Sequence, residues 1–252
     1  MNRVKLLYSD ENFAAFHKPE GMLVHRSSLD GRAKHFLLQE ARNIAGRRLW
    51  PIHRLDRPTS GIVLFAADEE AARRGAELFR DRLVERTYLA VVRGWTAPEG
   101  SVDRPLADDL GGVWNAPERE GKVREARTEY RRLAAAEIPF QVSVYPTARY
   151  SLVDIRPVTG RRRQIRRHFK HIFHPLVGDT TYGEGRHNRF FRDHFGCFRL
   201  MLAAVKISLP HPFTGKRLEI YCPPSESFMS VARALGWEEA ALREPQRGPG
   251  GS

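Results

Sequence analysis

The chain opens with two short apolar runs, Val4–Tyr8 and Phe13–His17, on either side of the polar stretch Ser9–Asn12. Two such runs around a polar turn predict a β-hairpin. Ala33–Ala45 sets Phe36, Leu37 and Ile44 at helical spacing, so a helix is expected there. After Pro51 the stretch His53–Gly61 is rich in turn formers, and Ile62–Ala66 follows as a short apolar strand. Asp68–Val84 carries the clearest helical pattern: Asp68, Glu69 and Glu70 crowd its first turn, and Arg80 and Arg82 lie near its end. That distribution suits the helix dipole. Thr87–Val92 is β-branched and aromatic and reads as a strand, as do Thr128–Ala135, Phe140–Val144, Tyr150–Ile155, Met201–Leu209 and Arg217–Tyr221. Gln164–Phe173 reads as a helix beginning after the turn at Thr159-Gly160. Residues 97–126, with Pro, Gly and many charges, are expected to form a long loop. Many strands and about three helices in this order predict an α+β fold, a mixed, mostly antiparallel sheet flanked by helices. No composition shift divides the chain, so one domain is expected over 1–237, with a disordered tail over 238–252.

Charge narrows the class. Lys and Arg number 42 against 30 Asp and Glu in 252 residues, a net charge of +12. That excess favours a polyanionic partner, nucleic acid before an acidic membrane surface. No run approaches the roughly 18 apolar residues of a membrane helix, and the N-terminus has no apolar signal-peptide core. Two cysteines, Cys197 and Cys222, make no disulfide framework. A soluble protein of the cytoplasm is expected, with no membrane partner.

The excess is concentrated. Arg156, Arg161, Arg162, Arg163, Arg166, Arg167 and Lys170 fall within fifteen residues that hold no acid. A solvated helix face mixes both signs, as Asp68–Val84 does, whereas a one-sign cluster repels itself and calls for anions such as phosphates. His168, His171 and His174 interleave at spacings compatible with a metal, but the surrounding cations oppose binding another cation, and no metal is expected.

Within His53-Arg54-Leu55-Asp56-Arg57 one carboxylate stands between two guanidinium groups, ahead of the turn Pro58-Thr59-Ser60-Gly61. Such a carboxylate is held charged, as a nucleophile at carbon requires. The same pattern also fits an Asp that caps its own turn, and spacing alone favours that reading. A hydrolase triad of Ser60, His53 and Asp56 is weak, because no nucleophile elbow surrounds the serine.

The segment His53–Gly61 as a whole resembles the signature motif of the RluA-type pseudouridine synthases. Lys18–His25 is similar to the first motif of that family, and Arg86–Gly94 to the strand that supplies its active-site tyrosine. Thr159–His168 and His174–Asp179 are similar to its third motif. Within the family, Leu23–Ser27, Tyr145–Tyr150 and His194–Gly196 are similar to the TruC branch, which modifies uridine 65 of transfer RNA and has no S4 RNA-binding domain. Two positions depart: Arg163 stands where the family usually has His, and Ala203 where the branch has His.

The resemblance implies a single catalytic domain that isomerises a uridine of RNA to pseudouridine without a cofactor. It makes Asp56 the nucleophile or base, Arg166 its partner, and Tyr88 the residue that stacks on the target base. Leu176 matches an apolar wall of the base pocket; read alone, Tyr88 and Leu176 are ordinary core residues. Arg54 is a candidate to fill the gap left by a flipped uridine, and Arg57, Arg161 and Arg162 to contact the RNA. Three other functions compete. An RNA chaperone would not need Asp56, Tyr88 and Arg166 together. A metal-dependent nuclease needs clustered acids. A related synthase acting on ribosomal RNA or another transfer-RNA position shares all the chemistry.

Overall fold

The computed structural model describes residues 4–25, 35–108 and 122–245. In chain order the elements are β1 (Lys5–Ser9), β2 (Phe13–Lys18), α1 (Leu37–Ala45), β3 (Trp50–Pro51), β4 (Ser60–Ala66), α2 (Glu69–Arg80), β5 (Glu85–Arg93), β6 (Glu99–Asp103), β7 (Leu106–Ala107) and β8 (Val123–Arg124). There follow β9 (Arg127–Ile138), β10 (Ala148–Pro157), α3 (Gln164–His171), α4 (Gly185–Phe195), β11 (Leu202–Pro210), β12 (Arg217–Tyr221), α5 (Glu226–Ala234) and α6 (Glu238–Leu242).

The expected hairpin is β1–β2, and Asp10 makes its turn by accepting the amides of Asn12 and Phe13 at 2.8 and 2.6 Å. Helix α2 starts where its acids predict: the Asp68 side chain accepts the Ala71 amide at 2.7 Å. It ends earlier than the pattern suggests, because Arg82 turns left-handed at φ 60° and Leu83 bonds back to Leu78.

Among the described residues ten strands form one sheet in the order β1-β2-β4-β11-β5-β10-β9-β6, with β3 added on β4 and β12 on β11. Every pairing is antiparallel except β4 with β11, so the sheet is mixed and mostly antiparallel, as expected. Both faces are covered. On β5, Tyr88, Ala90 and Val92 face one core layer beneath α3, while Leu89 and Val91 face a second layer shared with α4 and α5. The strand period of two divides the side chains between those layers, which is why β4 and β5 read as unbroken apolar runs.

Four expectations are corrected. The flanks of the supposed 97–126 loop form β6, β7 and β8, and β6 pairs with β9; Leu110–Asn115 lies outside the described residues. Phe140–Val144 is no strand. The β9–β10 ladder closes at Ile138 and Ala148, so these residues belong to the connection, and the Phe140 ring packs on His194 of α4 at 4.4 Å. Residues 238–242 are helical rather than disordered, with Ala241 buried beside Trp237, while 246–252 lie outside the described residues. The described residues hold six helices, not about three. Charges and aromatic residues mask the apolar period of α4, which buries only His187 and Phe191. Among the described residues no helix is long and apolar enough to cross a membrane.

Candidate active site

The site grows out of a gap in the sheet. Along one side β4 is paired by β2 from Gly61 to Ala66; along the other, β3 reaches only Phe65 and Ala66, and β11 only Ser60 and Gly61. Between them the Leu64 amide would lack a partner, and the His53 ring supplies one, with Nε2 accepting at 2.9 Å. Burial, aided by the nearby Arg86 charge, pushes His53 down to about 3, so its ring stays neutral and acts as a structural acceptor. Ser60 accepts a hydrogen bond from Arg199 at 2.7 Å. His53 and Ser60 are thus spent on structure, and the triad reading fails.

The loop 52–59 crosses this gap. Leu55 points into the core beneath it, 6% exposed, which turns its neighbour Asp56 outward into a cleft. The Thr59 amide bonds to the Asp56 carbonyl at 3.0 Å and closes the turn. From below, Lys18 fixes the loop. Its side chain is fully buried, and its Nζ donates to the carbonyls of Pro19, Met22 and Arg57 at 2.9, 2.8 and 3.1 Å. Burial pushes the Lys18 ammonium down to about 7 against the pull of Glu20 and Asp56. Gly21, at φ 80°, exchanges bonds with Arg57: its amide reaches the Arg57 carbonyl at 2.9 Å, and its carbonyl accepts Arg57 Nε at 3.1 Å. The lysine-bearing first motif is therefore a brace for the aspartate loop.

A cleft of about 240 Å³ opens above Asp56, lined also by Arg54, Thr59, Arg86, Tyr88, the turn Thr159–Arg163, Gln164, Ile165 and Arg166. That is at or below the lower edge of small-molecule pockets, a size suited to one base. Tyr88 reaches it from β5, where it stands opposite Ile155 and Ala204, and is 8% exposed. Burial raises its hydroxyl above the ordinary range, opposed by Arg86 and reinforced by Asp56. Arg166 reaches it from α3. It is 5% exposed and donates from Nη1 to Asp56 Oδ2 at 3.5 Å.

Gln164 sets the cationic rim. Its carbonyl oxygen accepts from Thr159 Oγ1 and the Arg161 amide at 2.7 and 3.0 Å; its amide donates to the Arg127 carbonyl and Thr128 Oγ1, both at 2.9 Å. The turn is thereby tied to β9. Arg163 lies in the left-handed region at φ 55°, a conformation that costs a non-glycine residue ~1–3 kcal/mol. Arg163 is the N-cap of α3 and lines the cleft.

Six sequence-derived candidates therefore converge: Asp56, Tyr88, Arg166, Arg54, Arg161 and Arg162. Two do not line the cleft. Leu176 is 1% exposed in the core layer that also holds Tyr88, bridged to Val92, and Arg57 braces Gly21. The histidines of the basic block are occupied: His168 bonds Thr128 and the Arg104 carbonyl, and His174 bonds the Arg93 carbonyl. Sequence reasoning missed Arg86, two residues before Tyr88 on β5, whose Nη2 bonds to Pro157 and Thr159 carbonyls. It also passed over Asp179, which binds Arg166 more tightly than Asp56 does. Strand alternation could have placed Arg86 on the face of Tyr88; Asp179 closes the segment likened to the third motif, but nothing local pairs it with Arg166.

Residues 12–171 match the family described as RNA pseudouridylate synthase. Over 95% of its length the chain is 39% identical to tRNA pseudouridine synthase C of Vibrio parahaemolyticus, covering 98% of that protein. It is 42% identical to the protein of the same name in Haemophilus influenzae, over 93% of this chain and 99% of the relative. Among solved structures it is similar to human RNA Pseudouridylate Synthase Domain Containing 4, with TM-score 0.68 at 24% identity, covering 92% of each chain. Human RNA Pseudouridylate Synthase Domain Containing 1 gives TM-score 0.68 at 23% identity, over 88% of this chain and 84% of that one. These two likenesses bear on the fold.

Proposed function

The chain belongs to the RNA pseudouridylate synthase family, and from that premise we propose that it isomerises one uridine of transfer RNA, uridine 65 in the T-stem, to pseudouridine. It is an isomerase, and its substrate is RNA. The transfer-RNA assignment is supported by 39–42% identity, over nearly the whole chain, to relatives named tRNA pseudouridine synthase C. The position within that RNA rests on the branch-like segments Leu23–Ser27 and Tyr145–Tyr150. Two buried free cysteines fit action in the reducing cytoplasm.

One observation carries the chemistry: Asp56 stands in a base-sized cleft between Tyr88 and an anchored Arg166. The reaction breaks the bond from C1′ to N1 of uracil, turns the base, and forms the bond from C1′ to C5. N1 gains a proton and C5 loses one, so atoms and charge balance without an acceptor or a leaving group. Asp56 is the nucleophile or base. Arg166 orients it, and Tyr88 stacks on the base, its buried hydroxyl kept protonated and able to take part in proton transfer. The exposed Arg54 at the mouth fills the gap that the extruded uridine leaves in its stem, offsetting an unstacking cost of a few kcal/mol. Arg161 and Arg162 hold phosphates of an A-form stem, which proteins read by shape and backbone. Leu176 supports the cleft from the core beneath Tyr88.

The test is modification of unmodified transfer-RNA transcripts and ribosomal RNA fragments side by side, with the modified position mapped. Pseudouridine at position 65 is the expected result. Efficient modification of a ribosomal fragment with the T-stem uridine untouched would reject the assignment in favour of a ribosomal synthase.

A further inference from the structure

The Arg166 guanidinium is shared unequally between two carboxylates. Nε and Nη2 donate to Asp179 at 2.6 and 2.7 Å, a two-point fork, while Nη1 reaches Asp56 at only 3.5 Å. The Asp179 side chain is fully buried, and its Oδ1 also accepts the Thr181 and Tyr182 amides at 2.8 and 2.9 Å. Burial pushes the Asp179 carboxyl up, but the bonds and charge of Arg166, with those amides, outweigh it and hold it below the ordinary range.

The backbone of Asp179 is fixed as well. Its carbonyl accepts from Asn188 Nδ2 at 2.8 Å and from the Gly183 amide at 3.1 Å. Any side chain at Gly183 would overlap that carbonyl, so the turn closes only on glycine. Asn188, on α4, also accepts the Gly178 amide at 2.8 Å. The Tyr182 ring covers the guanidinium, with its centroid 5.3 Å from Cζ.

We propose that Asp179 is a positioning residue for the isomerisation: its two-point fork on Nε and Nη2, with the Tyr182 ring on the guanidinium face, fixes the plane and direction of Arg166 so that Nη1 is the nitrogen that meets Asp56. A bidentate arginine pair engages both oxygens of a carboxylate. Anchored in that orientation, Arg166 gives Asp56 one long bond, from Nη1 to Oδ2 at 3.5 Å, which orients the group while leaving the second oxygen out of the pair. Lys18 from β2, Tyr88 from β5 and Arg54 of the same loop also face Asp56. Arg166 joins Asp56 to the buried Asp179, so the anchoring of that arginine is the specific device. The inference rests on Asp56 being the group that engages the uridine.

The experiment is a double-mutant cycle on the full chain with a transfer-RNA transcript, reading single-turnover rate and RNA affinity separately. Asp179→Asn keeps an oxygen for the two amides but turns an NH2 group against Arg166. It is expected to slow the chemical step about 100-fold, the scale of a small misplacement of a reacting group, with RNA affinity unchanged within about 2-fold. In an Arg166→Lys background the fork is already lost, so the same substitution should cost less than about 3-fold. Three results overturn the proposal: a parental rate for Asp179→Asn, a loss that multiplies in full with Arg166→Lys, or a fall in affinity as large as the fall in rate. Should Asp179→Asn fail to fold, Asn188→Ala takes its place in the cycle. Its smaller loss should likewise shrink beside Arg166→Lys, and full multiplication would again overturn the idea. Asp56→Asn is measured in parallel. Activity there would refute the role of Asp56; an inactive Asp56→Asn beside a fully active Asp179→Asn would refute only the role of Asp179.

Discussion

Lys18 and Asp56 show two opposite uses of a charged side chain. Asp56, its side chain 20% exposed, sits at the edge of solvent in the cleft. Asp56→Asn is expected to abolish pseudouridine formation while RNA affinity stays within a few-fold, because the many cations around the cleft are untouched. Tritium release from 5-tritiated uridine RNA beside a filter-binding titration checks this; turnover by purified Asp56→Asn would count against the site. Lys18 is sealed in, and burial holds its folded value at about 7, against 10.5 in an open chain. Between those values the unfolded chain binds the extra proton, so stability rises with pH; below about 7 both states are charged and the full burial penalty applies. The stability of the native protein relative to Lys18→Met should therefore climb by about 1.4 kcal/mol per pH unit between pH 7 and 10. Urea unfolding of both proteins at several pH values measures it, and a flat difference would show that the ammonium keeps its proton in the fold.

At the scale of elements, the site depends on how closely β4 approaches β11. Gly61 lies at φ 120°, and a Cβ there would overlap the backbone of Ala204. This is the single parallel joint of the sheet's described pairings, five residues from Asp56, and it permits no side chain. Gly61→Ala must push the strands apart, so a loss above about 3 kcal/mol is expected, at the diagnostic end of single substitutions. Activity should fall further than stability explains, since the loop of Asp56 hangs from this joint. Chemical denaturation and turnover at a temperature where the variant stays folded separate the two effects. Helix α3 is built to complementary ends. Ile165 and Phe169 bury one side, Gln164 ties its first turn to β9, and Arg166 leaves the same buried face to reach Asp179 and Asp56. Removing Arg166 would strand the fully buried Asp179 as well as freeing Asp56, so a loss of ~3–5 kcal/mol is the scale to expect.

For the whole molecule the governing quantity is charge. A net +12 makes RNA association salt-dependent, because each neutralised phosphate releases counterions. Arg162 lines the rim of the cleft without being buried in it. Arg162→Ala should weaken RNA binding, lower the salt slope of affinity by about one unit and leave the single-turnover rate at saturating enzyme unchanged. A titration series across salt concentrations, beside rapid-quench rates, checks the division. A rate loss as large as that of Arg166→Met would place Arg162 among the groups that act on the reacting base.

Local sequence determined much of this protein. The short apolar and β-branched runs between turn formers determined β1, β2, β4, β5 and β10–β12 closely, because strand composition and turn residues are written in consecutive positions. The one-sign block around Arg161–Arg166 was equally legible, since its meaning lies in neighbours along the chain; Asp56 stood out only through the resemblance of His53–Gly61 to a family motif, because spacing alone favoured a turn cap. Tertiary structure alone decided the rest. Phe140–Val144 has strand composition, yet the β9–β10 register closes before it, and register is a property of two strands. Helix α4 lacks a clear apolar face because only two of its side chains meet the core. Leu176 and Arg57 look like site residues by position but serve beneath and beside the cleft. Asp179 is thirteen residues from Arg166 in sequence and 2.6 Å away in space. Burial and a long-range pairing, neither of which a sequence window contains, decide how strongly that arginine is held and which of its nitrogens meets Asp56.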